Sequence, residues 1–92
     1  MIKSFGDRQT EKLFHDEFIR EFQGVAARAK RRLEMLNAAR HLSDLLVPPS
    51  NRLERLKGRL KDFHAIRIND QYRIIFRWVG SDAHDVSVID YH

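Results

Sequence analysis

Tyr72-Arg73-Ile74-Ile75-Phe76-Arg77-Trp78-Val79 is the stretch on which the fold of this chain turns. It is rich in β-branched and aromatic residues and has no glycine or proline, which is the composition of a strand. Its side chains alternate. Tyr72, Ile74, Phe76 and Trp78 share one face, while Arg73, Ile75 and Arg77 share the other. Working back, Phe63 to Ile68 reads as a preceding strand, with Ile66 and Ile68 on one face and Ala65 and Arg67 on the other. Asn69-Asp70 reads as a two-residue hairpin connection, although Gln71 stands where glycine would be the stronger signal. Working forward, Gly80-Ser81-Asp82 is a turn, and His84 or Asp85 to Tyr91 is a last strand that sets Val86 and Val88 against Ser87, Ile89 and Tyr91. Asn51 to Lys57 is a weak strand, followed by a turn at Gly58 to Asp62. Short connections between consecutive strands favour an antiparallel meander.

Upstream of Pro48-Pro49-Ser50-Asn51 the period changes. Ile2 to Phe5 reads as a short edge strand. Asp7 is placed to cap a first helix carrying Leu13, Phe14, Phe18 and Phe22 on one side. Gly24 separates it from a second helix, whose apolar stripe is Val25, Ala29, Leu33 and Leu36. Leu42 to Leu46 adds a helical turn. The expected fold class is α+β: two N-terminal helices packed on a mainly antiparallel sheet, in a single domain over residues 1–92.

Ninety-two residues allow one modest core. The chain has no cysteine, so disulfides and thiolate metal sites are excluded, which fits a cytoplasmic location. The five histidines are not at zinc-helix spacing, so neither a metal nor another cofactor is expected. Met1 to Asp7 lacks the apolar stretch of a signal peptide, and no apolar run approaches a membrane span. The net charge is +4. The segment from Asn51 to Val79 alone carries eight Arg and Lys against three acids, so the remainder is close to neutral. Such a localised surplus is an electrostatic footprint for a polyanion; the plain alternative is a solvated surface.

The alternation sorts this charge. If Ile66, Ile68, Ile74, Phe76, Trp78, Val86 and Val88 face the helices, then Arg67, Arg73, Arg77 and Tyr91 face away, because a one-residue shift would bury the arginines. Lys57 joins that surface from the neighbouring strand. Cations bind phosphates and an aromatic ring stacks on an unpaired base, so the face suits single-stranded RNA. A sheet face turned to water would carry the same arginines.

Three stretches then resemble a known family. They are Asn51-Arg52-Leu53-Glu54-Arg55-Leu56-Lys57-Gly58, Ile66-Arg67-Ile68-Asn69-Asp70-Gln71-Tyr72-Arg73-Ile74-Ile75-Phe76, and the terminal Asp90-Tyr91-His92. With the opening Met1 to Phe5 they are similar to the HigB toxins of the RelE/ParE superfamily, over essentially the full chain. The resemblance implies the toxin of a type II toxin–antitoxin pair: an endoribonuclease that enters the ribosomal A site and cuts the mRNA bound there. Carried over by position, Lys57, Arg73, Asp90, Tyr91 and His92 match family residues used for RNA binding or cleavage, and His64 and Arg67 are further carry-overs. The resemblance also implies a cognate helix-turn-helix antitoxin, HigA-like, as partner.

Metal-independent RNA cleavage needs a base for the 2′ proton, an acid for the departing 5′ oxygen and cations for the phosphorane. His92 is the best acid or base, since an unperturbed imidazole titrates near about 6.5. Asp90 has the parity of His92 and is expected to orient it or to hold the proton. Arg73 is the expected phosphate clamp, with Lys57 as a second cation and Tyr91 either stacking on a base or bonding a phosphate. Each has a plain alternative: Asp90 pairing with Arg67 or Arg73, Tyr91 a strand-end aromatic, His92 a mobile end. The competing function is a ParE-like inhibitor of DNA gyrase with the same fold and no nuclease activity. A passive RNA-binding module is a third reading.

Overall fold

Alternation in the central stretch produces β3 (Tyr72–Val79), the longest-paired strand of a four-stranded antiparallel sheet. The structure, a computed structural model, describes residues 1–91. Around β3 lie β2 (His64–Arg67), the two-residue β1 (Glu54–Arg55) beyond it, and β4 (Asp82–Asp90) on the other side, in the order β1-β2-β3-β4. Ile66 pairs with Ile74 and Ile74 with Val88, which sets three apolar side chains in one row beneath the helices. Ile66, Ile68, Ile74, Phe76, Val86 and Val88 are all buried there, with Tyr72 and Trp78 packed at the margin. The register expected from the alternation is the one observed.

Two helices cover that face. α1 (Arg8–Phe14) begins at Asp7, whose carboxylate accepts the Thr10 N–H at 2.7 Å. α2 (Ala26–Ala38) lays Ala29, Leu33 and Leu36 into the core, preceded by the buried Val25. Truncating a side chain like Leu33, which has no exposed surface, typically costs about 2–5 kcal/mol. α1 is shorter than its apolar stripe suggests. The chain turns at Asp16, with φ +66°, and Phe18 ends up 76% exposed. Phe22 still reaches the core, carried by a separate 3₁₀ turn at Arg20–Phe22. The turn Leu42–Leu46 buries Leu45 but leaves Leu46 exposed.

Three loops differ from expectation for local reasons. The β2–β3 connection has four residues, 68–71, rather than two. Asn69 Oδ1 accepts the N–H groups of Gln71 (2.9 Å) and Tyr72 (2.7 Å), so a side chain closes the turn that a glycine would otherwise shape. β4 begins at Asp82, not His84, because it contains a bulge. Arg77 pairs with His84 while Ile75 pairs with Ser87, which leaves Asp85 as the extra residue at φ +52°. Its amide donates to Ser4 Oγ at 2.9 Å and its carboxylate accepts Arg77 Nε at 2.7 Å. The bulge lets Ala83 and Val86, three apart, both point into the core.

Residues 1–6 run parallel to β4 along its outer edge, bridging Ile2 to Ala83 and Phe5 to Val86. Where that pairing stops, the buried Thr10 hydroxyl accepts the Val88 N–H at 2.9 Å and donates to Asp7 at 3.0 Å. The opposite face of the sheet is partly covered. The stretch from Leu56 through the 3₁₀ turn Gly58–Leu60 folds over it, and Leu56, Ala65 and Ile75 form a second small cluster with Leu60, Phe63 and Ile89. Asn51 to Lys57 contributes strand pairing only at Glu54 and Arg55.

Candidate functional site

The covered strip leaves a groove of about 300 Å³ at one end of the second face, lined by Glu54, Arg55, Leu56, Lys57, Leu60 and Tyr91. Lys57 reaches it from the residue before the 3₁₀ turn, and is exposed. Tyr91 reaches it from the end of β4. Its amide donates to Gln71 O at 2.7 Å, which holds the backbone to the sheet while the ring stays 42% exposed.

Arg73 lies against this ring, with its guanidinium carbon 5.1 Å from the ring centroid. Its Nε and Nη1 are buried and have no hydrogen-bond partner among the described residues. Arg73 is half-buried, and two buried donors left idle are costly unless an acceptor arrives. Across the ladder Arg73 faces Arg67, and like charges side by side add to the local positive potential. Arg67 is partly neutralised by an ion pair with Asp70.

The other sequence candidates fall elsewhere. Asp90 has the parity of Val86 and Val88, so it ends β4 on the opposite side from Tyr91; its carboxylate accepts Gln71 Nε2 at 3.1 Å. Arg77 shares the parity of Arg73 but lies toward the far end of β3, tied to Asp85. His64 is on the helix side, stacked on Phe76 at 6.0 Å between ring centroids. Burial, followed by the Arg55 guanidinium, lowers its pKa below the ordinary imidazole value. His92 lies outside the described residues.

Glu54 is the groove residue that sequence reasoning missed. Across the ladder from the buried Ala65, it brings a carboxylate to the same space as Lys57 and Tyr91. The signal was available: Glu54 and Leu56 have the same parity in Asn51 to Lys57. Without knowing that Leu56 folds inward over the sheet, that parity had no face to refer to. No helix among the described residues is long and apolar enough to cross a membrane, and no group of three or more His, Cys, Asp or Glu among them could hold a metal ion.

Two helices on a four-stranded antiparallel sheet, with a cationic groove at the end of the last strand, define a small α+β protein of the RelE-like fold. The same architecture occurs in the YoeB–YefM complex from Staphylococcus aureus, with a TM-score of 0.61 over 100% of this chain and 98% of that one, at 17% identity. Within that fold the chain belongs to the HigB-like toxin family: the family model, described as RelE-like toxin of type II toxin–antitoxin system HigB, matches residues 3–92. Toxin HigB-1 of Vibrio cholerae is 41% identical over 85 residues, 90% of each chain. An uncharacterized protein of Haemophilus influenzae is 34% identical over 56 residues, covering 61% of this chain and 55% of that protein.

Proposed function

We propose that this toxin is a ribosome-dependent endoribonuclease that cuts mRNA in the A site, using its own side chains as acid, base and cations. The observation that carries the reading is Arg73: a half-buried guanidinium with two buried nitrogens unpartnered among the described residues, against the Tyr91 ring that lines the groove with Lys57. A phosphodiester supplies the oxygen acceptors these donors lack.

The reaction follows from the groups. The 2′ oxygen attacks the adjacent phosphorus, the P–O5′ bond breaks, and the products are a 2′,3′-cyclic phosphate and a 5′-hydroxyl. Glu54, the carboxylate in the groove, accepts the 2′ proton. His92 supplies a proton to O5′, and Asp90, two residues before it, holds its orientation. Arg73 and Lys57 stabilise the charge that grows on the phosphorane, and Arg67 adds to their field. Tyr91 leaves Arg73 to stack on a base. The protein acts in the cytoplasm, where its substrate is. As a type II toxin it is held in check by an antitoxin, for which we propose a HigA-like helix-turn-helix protein.

Primer extension on mRNA after induction tests this reading. Discrete new 5′ ends within codons, absent in an Arg73→Ala strain, are expected. Growth arrest with intact mRNA and inhibited DNA supercoiling would instead assign the fold to gyrase inhibition. RNA affinity without growth arrest would leave a passive binding module.

A further inference from the structure

β3 overruns β2. β2 begins at His64, opposite Phe76, so Arg77, Trp78 and Val79 have no strand beside them on that edge. The step leaves a notch of about 420 Å³ lined by these three residues with Arg55, Asp62 and His64. Its walls are held in place. The Trp78 indole meets Phe76 edge-on at 6.3 Å and 76°, and the His64 ring lies nearly parallel to Phe76 at 21°. Arg77 is fixed through Nε by Asp85. Arg55 is fixed through Nε by Lys61 O at 3.3 Å, and has no carboxylate partner among the described residues. Both guanidiniums are thus anchored at one nitrogen.

Arg55 lines the groove as well as the notch, so the two spaces share a wall. Along β3 the notch arginine, Arg77, stands four residues from Arg73, about 14 Å at the usual strand rise. Trp78 and Arg77 project to opposite faces of β3, so at this uncovered edge the ring has Arg77 on one side and Arg55, paired with His64, on the other; a ring flanked by cations can carry an unpaired base with its phosphate on the cations. Asp62, the one carboxylate of the lining, is exposed at the notch and repels a phosphate, so it steers the phosphate to the arginines.

We propose that this notch is a second RNA subsite. It takes one unpaired nucleotide of the same strand, beyond the one next to the cleaved bond, its base against Trp78 and its phosphate on Arg55 and Arg77. The proposal rests on the RNA-cleaving reading, but it places recognition outside the groove where the bond breaks. It also gives Arg77 and His64 a location of their own, apart from Arg73 and Tyr91.

Trp78 is the only tryptophan in the chain, so its fluorescence reports on the notch alone. Single-stranded RNA hexamers, end-labelled for anisotropy, are titrated into the purified protein off the ribosome. Saturable Trp78 quenching that tracks the anisotropy is expected. Arg55→Gln and Arg77→Gln should each weaken the affinity about tenfold, the worth of one charge-assisted hydrogen bond, with melting temperature recorded alongside. Arg55→Gln breaks no ion pair, so it keeps the test open if Arg77→Gln fails to fold. Binding by anisotropy without quenching, quenching indifferent to Arg55→Gln, or no binding at all would overturn the subsite. Cleavage is scored separately on programmed ribosomes. Wild-type cleavage without quenching rejects the notch alone, and quenching without cleavage rejects the nuclease alone.

Discussion

Arg73 and Tyr91 form a cation–π pair at 5.1 Å in which the cation is buried deeper than the ring. Tyr91 is therefore a cover over a guanidinium whose Nε and Nη1 find no acceptor among the described residues. The pair stores binding capacity at a cost to stability.

That cost is measurable. Replacing Arg73 with methionine keeps the bulk of the stem and removes the charge. Arg73→Met should hold or raise stability, by up to about 1 kcal/mol in urea unfolding, because it removes two buried donors that have no acceptor among the described residues. The same variant should lose cleavage by about 10²–10³-fold, the usual worth of a transition-state donor. A large loss of stability would mean that Arg73 is structural.

Glu54 is exposed, and its carboxylate forms no ion pair among the described residues. Glu54→Gln should change stability by no more than about 0.5 kcal/mol. Single-turnover cleavage of A-site mRNA should fall by about 10²–10⁴-fold, as expected for loss of proton transfer. Deleting His92 should impair cleavage similarly. Full activity in the glutamine variant would remove Glu54 from the chemistry, and full activity in the deletion would do the same for His92.

Thr10 ties α1 to β4 through one hydroxyl, accepting from Val88 N–H and donating to Asp7. Thr10→Val keeps the shape but leaves a buried amide without an acceptor. The expected loss is about 1–3 kcal/mol by thermal or urea unfolding. Thr10→Ser should recover most of it. An unchanged melting temperature in Thr10→Val would show that the edge of β4 finds another acceptor.

His64 sets a pH dependence. Its folded pKa lies below its unfolded value, because burial and Arg55 disfavour the charged ring. Above about 6.5 both states are neutral and the group contributes nothing to the slope. As pH falls below that, the unfolded chain takes up a proton that the folded chain resists, so stability declines until the folded pKa is passed. His64→Gln should flatten this part of the stability profile, measured as denaturant midpoint between pH 7 and pH 5. A slope unchanged in the variant would locate the effect in another group.

The sheet register was legible because one face is apolar without interruption. Ile66, Ile74 and Val88 allow a single alignment, and the position of Arg73 follows from it. The end of α1 was not legible. Phe18 continues a helical spacing, yet the chain leaves the helix at Asp16 in a left-handed conformation that no nearby glycine announces. The bulge at Asp85 was hidden for the same reason. It needs Ser4 and Arg77 to hold it, residues far away in sequence. Within the candidate site, Arg73, Tyr91 and Lys57 could be grouped from parity and resemblance. Glu54 could not, because its placement depends on how Leu56 and Leu60 fold back over the sheet. That packing is a tertiary choice with no local period.

The parallel bridges from Ile2 to Ala83 and from Phe5 to Val86 bear on how the protein is made. Both join residues about eighty positions apart, so loop closure comes before any gain from the contact. During vectorial synthesis the first residues wait for the last strand, and β3 stays without its longest partner until β4 has emerged.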